Sequence, residues 1–386
     1  MSKQHFHETE FDDATRLKLD IFRGYVREWI PVFLTKYQNK KNYKRICIFD
    51  LFSGHGTDGA KNFGSPLLIY EELKKYCKEH IELKSPNIQT DLFFNDSNTK
   101  HIKSLEKRLS QERCQNNCCN VHLFNRPFSE LLEDDEIKQP LESGDTACLV
   151  IMDQFGVKEV DRTIFRFFAQ CPVTDIMFFI SSAHVKRFAG ESSFNTRLPI
   201  DPVEIKKTDN KNIHRKLCES YKKIIPANTK YYLAPFSILK GKNIYGVIFG
   251  SGELLGLEKF LTVTWGIDKG TGEANYDIDN DPIRKNQGSK LLFGEMNTYK
   301  KCDAFAEELK ETLISNSMDN LQLYSFCLGH GFLPKHVREC LNKWSEVGIL
   351  DIVNIQTNVK LRKGSYYIGW DYFNKNDRKL MFRIKE

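Results

Sequence analysis

The apolar positions of the first fifty residues change from helical spacing to a continuous run. From Asp13 to Ile30 apolar side chains recur mostly every three or four residues, which predicts an amphipathic helix that Pro31 ends or kinks. Arg45–Phe52 (RICIFDLF) is a short apolar run and predicts a buried strand. A glycine-bearing loop, residues 53–59, follows this strand.

Ser65 and Pro66 mark the start of the next helix, predicted to run to about Cys77. A serine oxygen can cap free backbone N–H groups, and proline needs no N–H in the first turn. The strand, the loop and this helix form one β-loop-α unit.

The same alternation then repeats along the chain, with a helix predicted at Lys100–Leu109. Apolar runs of this kind suit a sheet that is covered on both faces. The further predicted strands are Asp91–Asp96, Val121–Asn125, Ala147–Asp153, Thr174–Ser181, Tyr231–Phe236 and Ile244–Ser251. The fold class is therefore α/β, a Rossmann-like doubly wound sheet over residues 45–300, preceded by a helical segment (1–44) and interrupted by a polar insertion at about 186–226.

Helical periodicity returns after residue 300 and predicts three short helices, the third closed by Gly348. The β-prone stretches Ile349–Leu361 and Ser365–Trp370 then flank an Arg-Lys-Gly turn, as the strands of a wing would. We expect residues 301–386 to form a winged helix-turn-helix module.

Composition narrows the class of protein. The chain has 386 residues, 40% hydrophobic, with a net charge of +6 and eleven scattered cysteines. The N-terminus is polar, and no apolar run approaches the length of a membrane helix. We expect a cytoplasmic protein with reduced thiols; Cys114, Cys118 and Cys119 lack the spacing of a metal site, so no metal is predicted.

The loop after the first strand is the first candidate binding site. Glycines there let a backbone approach a nucleotide-type ligand closely, and the following helix N-terminus offers free N–H groups. The candidates are Asp50, Phe52, Ser53, Gly54 and Gly56. The spacing to Ser65 is too long for the dinucleotide G-x-G-x-x-G, which disfavours nicotinamide binding; alternatively, the glycines are turn residues only.

Polar side chains also end the second, third and fourth strands. Asp96 is placed to bond the hydroxyls of a ribose, or to cap the next helix together with Asn98, and Asn125 to meet an adenine edge. Asp153, Gln154 and Phe155 are candidate catalytic residues that would hold and stack on an acceptor, or else form an Asp-x-x-Gly turn.

The motif FDLFSGHG (49–56) resembles the first motif of class I methyltransferases. Taken in order with GSPLL (64–68), NDSN (95–98), IMDQFG (151–156), YGVIFGSG (245–252), GLEKFL (256–261) and W-x-x-D (265–268), it resembles the three-Cys-motif partner protein family, TcmP. The resemblance implies S-adenosyl-L-methionine as cofactor, a bacterial or phage-related context, and a separate radical-enzyme-like partner bearing three cysteines.

The chain departs from known methyltransferase sites. It has no Pro-Cys nucleophile, and Gln154 stands where amino-methyltransferases have proline. Two hypotheses stay open: a methyltransferase acting on nucleic acid, with Asp153 orienting an amine, or a non-catalytic subunit that binds the three-cysteine protein, DNA or both.

The third C-terminal helix resembles a recognition helix. Lys335, His336 and Arg338 lie on its predicted polar side, and Arg362 and Lys363 lie in the wing. These residues are candidates for DNA or RNA binding, although a winged helix also serves protein contacts.

Overall fold

The computed structural model describes residues 9–35, 43–80, 88–112, 118–153, 160–189, 191, 200–279, 300–355 and 364–385. The chain divides into two compact units, Met1–Val263 and Thr264–Glu386. The boundary predicted at residue 300 lies inside the second unit. Within the described residues, no helix is both long and apolar enough to cross a membrane.

A seven-stranded sheet forms the centre of the first unit. Its strand order is β3-β2-β1-β4-β5-β7-β6, and every neighbouring pair is parallel except those made by β7. The strands are β1 (Arg45–Asp50), β2 (Gln89–Asn95), β3 (Asn120–Phe124), β4 (Thr146–Met152), β5 (Thr174–Ser181), β6 (Tyr232–Lys240) and β7 (Asn243–Ser251). The mostly parallel α/β sheet confirms the predicted Rossmann-like doubly wound fold.

Helices alternate with these strands, as the sequence predicts. They are α1 (Asp13–Leu34), α2 (Ser65–Glu79), α3 (Thr99–Gln111), α4 (Phe128–Leu131), α5 (Asp135–Glu142), α6 (Arg162–Gln170), α7 (Ser182–Phe188), α8 (Pro202–Lys207), α9 (Ile213–Lys222) and α10 (Leu254–Ile267). Gly64, and not Ser65, is the N-cap of α2; Ser65 is its first helical residue.

The two faces of the sheet take alternate residues of each strand. Cys47 and Phe49 of β1 and Val150 of β4 join a large apolar cluster with α4, α5, α6 and α9. The other face is covered by α1, where Tyr25 packs 4.8 Å from the Phe249 ring and donates a 2.7 Å hydrogen bond to Asp175. Because side chains alternate along a strand, Asp50 points to the face that α1 covers.

Helix α1 continues beyond the predicted end. Pro31 lies inside the last turn, and the helix ends at Leu34 with the Thr35 N–H bonded to the Pro31 carbonyl. A proline removes one hydrogen bond from the turn before it, and here that loss falls next to the helix end, where carbonyl groups lack helical partners in any case.

The polar stretch 186–226 contains ordered helices in its described residues. Its apolar positions, among them Ile205 on α8 and Leu217 on α9, join the core of the first unit. His214 on α9 is 1% exposed, and a side chain at Gly246 of β7 would meet its ring at 1.9 Å. This close approach explains why glycine stands at that point of β7.

The second unit combines helices with a three-stranded antiparallel sheet of order β8-β10-β9. Its elements are α11 (Lys300–Ser315), β8 (Met318–Asp319), α12 (Asn320–Gly329), α13 (Pro334–Glu346), β9 (Leu350–Asn354), α14 (Trp370–Asn374) and β10 (Leu380–Ile384). Gly348, at φ 76°, follows α13 as predicted.

One predicted wing strand is wrong. Residues 365–368 have no regular structure, and α14 begins at Trp370. The partner of β9 is β10, paired from Leu380↔Asn354 to Ile384↔Leu350. Tyr366 and Ile368 are buried, so their apolar character serves packing and not strand pairing.

Candidate functional site

The carboxyl ends of β1 and β4 form the point where the strand order reverses. The chain moves outward from β1 through β2 to β3, and then returns to β4 on the other side of β1. In open α/β sheets such a reversal leaves a crevice that binds ligands. Asp50 ends β1 and Asp153 follows β4, so both carboxyl groups flank this crevice.

The glycine loop that follows β1 is shaped by two residues with left-handed backbone. Gly54 has φ 62° and Gly56 has φ 89°, values that favour glycine. A Cβ on Gly56 would lie 2.8 Å from Leu105 Cδ1, and the Gly56 carbonyl accepts a 2.8 Å bond from Gly64 N. The loop is therefore held tightly against α2 and α3.

Asn95 and Asp96 attach the end of β2 to this loop. The Asn95 carbonyl accepts bonds from both the N–H (2.8 Å) and the hydroxyl (3.1 Å) of Ser53. Asp96 Oδ2 accepts a 3.1 Å bond from Gly54 N, while its Oδ1 accepts one of 2.7 Å from Asn98 N. Asp96 thus bonds the Asn98 N–H and Asn98 caps α3, and Asp96 also lies directly over the glycine loop.

Asn125 lies next to Asp96, whereas Phe52 points elsewhere. The Asn125 amide donates to the Asp96 carbonyl at 2.8 Å and accepts from the Thr99 hydroxyl at 2.7 Å. The Phe52 ring stacks on Phe128 at 5.2 Å, against the apolar cluster. The structure therefore brings Asp50, Ser53, Gly54, Gly56, Asp96 and Asn125 to one edge of the sheet.

The carboxyl group of Asp50 is fully buried. Its Oδ1 accepts a 3.3 Å bond from Phe52 N, and its Oδ2 accepts no well-formed hydrogen bond from the described residues. Burial raises the pKa of Asp50 to about 7, and the nearby Asp153 carboxylate adds to the rise, while Ser65, Phe52 N–H and Lys18 oppose it. An unpartnered buried acceptor at a crevice calls for a donor from a ligand.

Asp153 forms an ion pair with Lys18 of α1. The Lys18 side chain is 11% exposed, and its ammonium lies 4.8 Å from the centre of the Phe179 ring on β5. Asp153 comes one residue after the last paired residue of β4, which places it level with Phe179. Gln154 and Phe155, predicted beside Asp153, lie outside the described residues.

Two residues of this edge, Lys18 and Asn95, were not among the predicted site residues. Lys18 follows the spacing of the buried face of α1, three and four residues before Ile21 and Phe22, and this spacing was the available signal. Asn95 stands beside the predicted Asp96, and its amide also bonds the Leu51 and Arg126 carbonyls at 3.2 Å each. It fixes the relative positions of the ends of β1, β2 and β3.

The predicted nucleic-acid residues of α13 differ in their surroundings. Lys335 is exposed, but His336 is buried against Trp265 and Phe332, and its Nδ1 accepts a 3.0 Å bond from Leu333 N. Burial lowers the pKa of His336 to about 4. Arg338 donates to the Ile368 carbonyl. Arg362 and Lys363 lie outside the described residues.

Among the described residues, no group of three or more His, Cys, Asp or Glu side chains is arranged to hold a metal ion. The ten described cysteines are free thiols. Cys114 is not among the described residues.

Comparisons with known proteins give structural likenesses only. No protein-family model matches the chain, and no curated protein matches it. Among solved structures, P. horikoshii TYW2 in complex with MeSAdo aligns over 63% of this chain and 64% of its own, with 10% identity and a TM-score of 0.32. The spermidine synthase of Thermotoga maritima aligns over 62% of both chains, with 12% identity and a TM-score of 0.30.

The O-methyltransferase TomG of Streptomyces achromogenes, solved with SAM, aligns over 63% of this chain and 90% of its own, with 10% identity and a TM-score of 0.30. This chain thus spans less than two thirds of the first two structures. At TM-scores this low, the likenesses decide nothing about this chain, and its fold rests on the strand order and pairing described above.

Proposed function

We propose that the first unit binds S-adenosyl-L-methionine at the carboxyl edge of its sheet and transfers the methyl group. The observation that carries the proposal is the acid-lined crevice at the strand reversal, where the buried Asp50 Oδ2, beside a tightly held glycine loop, accepts no well-formed hydrogen bond from the described residues. The strand order, with β7 antiparallel, also suits a methyltransferase of class I.

The described side chains fit this cofactor by their chemistry. The ligand carries a sulfonium, an amine and ribose hydroxyls, all of which favour carboxylate partners. Asp96 would accept from the ribose hydroxyls. Asp50 would accept from the amino group and attract the sulfonium charge, with the loop glycines leaving room for backbone approach. When bound, the cofactor supplies an electrophilic methyl group, and the chain's task is to align an acceptor and exclude water.

Nucleic acid is the acceptor that we propose. The element order of the second unit and its antiparallel sheet support a winged-helix module, and Lys335, Arg338 and Lys343 are exposed on α13. We keep the resemblance to three-Cys-motif partner proteins, with its three-cysteine partner, as part of this proposal.

A second candidate function is a binding subunit without turnover. The observation that favours it is the Asp153 carboxylate, which is already paired with Lys18 instead of being free for an acceptor. The Asp153→Asn variant separates the two functions. If the protein is an enzyme, the substitution abolishes methyl transfer to added DNA or RNA and spares cofactor binding. If the protein is a binding subunit, the substitution changes only complex formation.

Calorimetric titration with S-adenosylmethionine and S-adenosylhomocysteine tests the cofactor. Asp96→Asn should weaken binding by about ten- to hundredfold, since a hydrogen bond to a charged group contributes about 1.5–3 kcal/mol. Asp145→Asn is the matched control, because Asp145 precedes β4 at the opposite edge and should leave binding unchanged. Absence of binding by folded wild-type protein, or equal binding by both variants, would refute the proposal.

A further inference from the structure

The ε-amino group of Lys18 lies at the edge of the sheet that is proposed above to hold a methyl donor. Its nitrogen is held by the Asp153 carboxylate on one side and by the Phe179 ring, 4.8 Å away, on another. Lys18 also acts electrostatically on Asp50, so the ammonium lies near the ends of both β1 and β4. A primary amine therefore occupies the crevice itself.

Fold stability alone does not account for this pair. The side chains of Lys18 and Asp153 are 11% and 22% exposed. Burying two charges to this extent removes much of their hydration, and their mutual attraction barely offsets that cost. An apolar contact of similar volume would attach α1 to the sheet at least as well. The pair is better explained by chemistry at the crevice.

The surroundings of Lys18 supply what a nitrogen nucleophile needs. An amine attacks only when it has lost its proton, and a carboxylate in direct contact can take that proton. Burial keeps water away from the amine and restricts its position, which favours reaction with a ligand bound beside it.

We propose that Lys18 is a site of self-methylation; this proposal rests on the proposed function. The Lys18 ammonium gives a proton to the Asp153 carboxylate, and the nitrogen lone pair forms an N–C bond to the methyl group of the sulfonium donor. The S–C bond breaks, and its electron pair stays on sulfur as a thioether. The methylated nitrogen keeps two hydrogens and one positive charge and takes up no further proton. The proton held by Asp153 passes to solvent, so each transfer releases one proton.

Peptide mass spectrometry of the full chain tests this site. The peptide containing Lys18 is measured in the protein as purified, and again after incubation with S-adenosylmethionine labelled in its methyl group. We expect methyl groups on Lys18, and about a hundredfold slower labelling in Asp153→Asn, since a positioned base contributes about 10²–10⁴ in rate. Lys259, which pairs with Glu28 at 2.8 Å in the same unit, is the matched control lysine and should stay unmodified.

Two results would overturn the proposal while leaving the proposed function intact. One is an unmodified Lys18, both as purified and after incubation, in protein that binds S-adenosylmethionine. The other is equal labelling of Lys18 and Lys259, or labelling of Lys18 at the wild-type rate in Asp153→Asn, either of which indicates reaction without the site. Absence of cofactor binding by the folded wild type would instead overturn both proposals.

Discussion

At the scale of the residue, the carboxyl group of Asp50 lies in surroundings that disfavour its charged form. This carboxyl group is buried, one of its oxygens accepts no well-formed hydrogen bond within the part of the chain that the structure describes, and burial raises its pKa to about 7. A carboxyl group with a raised pKa stabilises the fold below its unfolded pKa, and this contribution is lost as the pH rises through about 7. Binding of a cationic ligand offsets this loss of stability, because the positive charge stabilises the ionised form of Asp50.

The affinity for S-adenosylmethionine should therefore depend on pH. Below about 7 Asp50 is mostly protonated, and binding of the sulfonium must first release that proton. We expect the association constant to rise by up to about tenfold per pH unit toward 7 and to level off above it. Calorimetry between pH 5.5 and 8.5, in about 0.5 unit steps, measures this dependence.

Two comparisons isolate the contribution of Asp50. Asp50→Asn cannot ionise, so its affinity should be lower at neutral pH and nearly independent of pH. S-adenosylhomocysteine lacks the sulfonium charge and should show a shallower dependence with the wild type. A pH profile that is unchanged in Asp50→Asn would contradict the role of this carboxyl group.

At the scale of the element, hydrophobic patterning predicted the large sheet well. β5 has the predicted bounds, and the other strands differ by one to four residues at their ends, because an apolar run marks a covered strand clearly. The wing was predicted poorly, since apolar residues such as Tyr366 and Ile368 are buried without pairing as a strand. The spacing of apolar residues indicates which positions are buried, and it distinguishes a strand from packed coil only over longer runs.

The residues of the site also divide into those that the sequence predicts and those that it does not. Asp50, Asp96 and Asp153 could be predicted because parallel strands bring their carboxyl ends to one edge. For Lys18, the spacing along α1 indicates burial but not its role, because its partner Asp153 lies 135 positions away and only the packing of α1 brings them together. His336 was predicted on a polar surface, yet its ring is buried against Trp265 and Phe332, and its Nδ1 accepts a hydrogen bond from the backbone N–H of Leu333, the N-cap of its own helix.

Helix α9 is attached to the sheet through a buried histidine. His214 Nε2 bonds the Ile180 carbonyl at 3.0 Å, and its Nδ1 lies 3.3 Å from the hydroxyls of Ser182 and Ser237. Burial lowers the pKa of His214 to about 4. A base with a lowered pKa contributes stability that is present above its unfolded pKa, near 6.5, and lost as the pH falls toward about 4.

Acid should therefore destabilise the first unit through His214. Urea unfolding at several pH values between about 7 and 4.5 should give a free energy of unfolding that decreases as the pH is lowered. The decrease should be steeper in the wild type than in His214→Gln, because glutamine takes up no proton. His184→Gln, on the same unit, is the control and should keep the wild-type slope. Equal slopes for the wild type and His214→Gln would show that this histidine does not couple α9 to pH.

At the scale of the whole molecule, the chain combines an acid-lined crevice in one unit with exposed cations on a helix of the other. The exposed residues of α13 carry both signs of charge, since Glu339 lies beside Arg338. Such a surface binds phosphates weakly unless neighbouring elements add cations. The affinity of the second unit for DNA would therefore depend on how many phosphates it contacts.

Salt dependence measures that number. If α13 meets the phosphate backbone, the affinity of the full chain for a short duplex of mixed sequence should fall linearly in a plot of log affinity against log salt. Lys335→Ala should reduce the slope by about one, whereas Lys310→Ala, an exposed lysine of α11, should leave it unchanged. Fluorescence anisotropy at several salt concentrations checks both variants. Equal slopes for Lys335→Ala and Lys310→Ala would show that Lys335 contacts no phosphate, and absence of binding at low salt would favour a protein partner for the second unit.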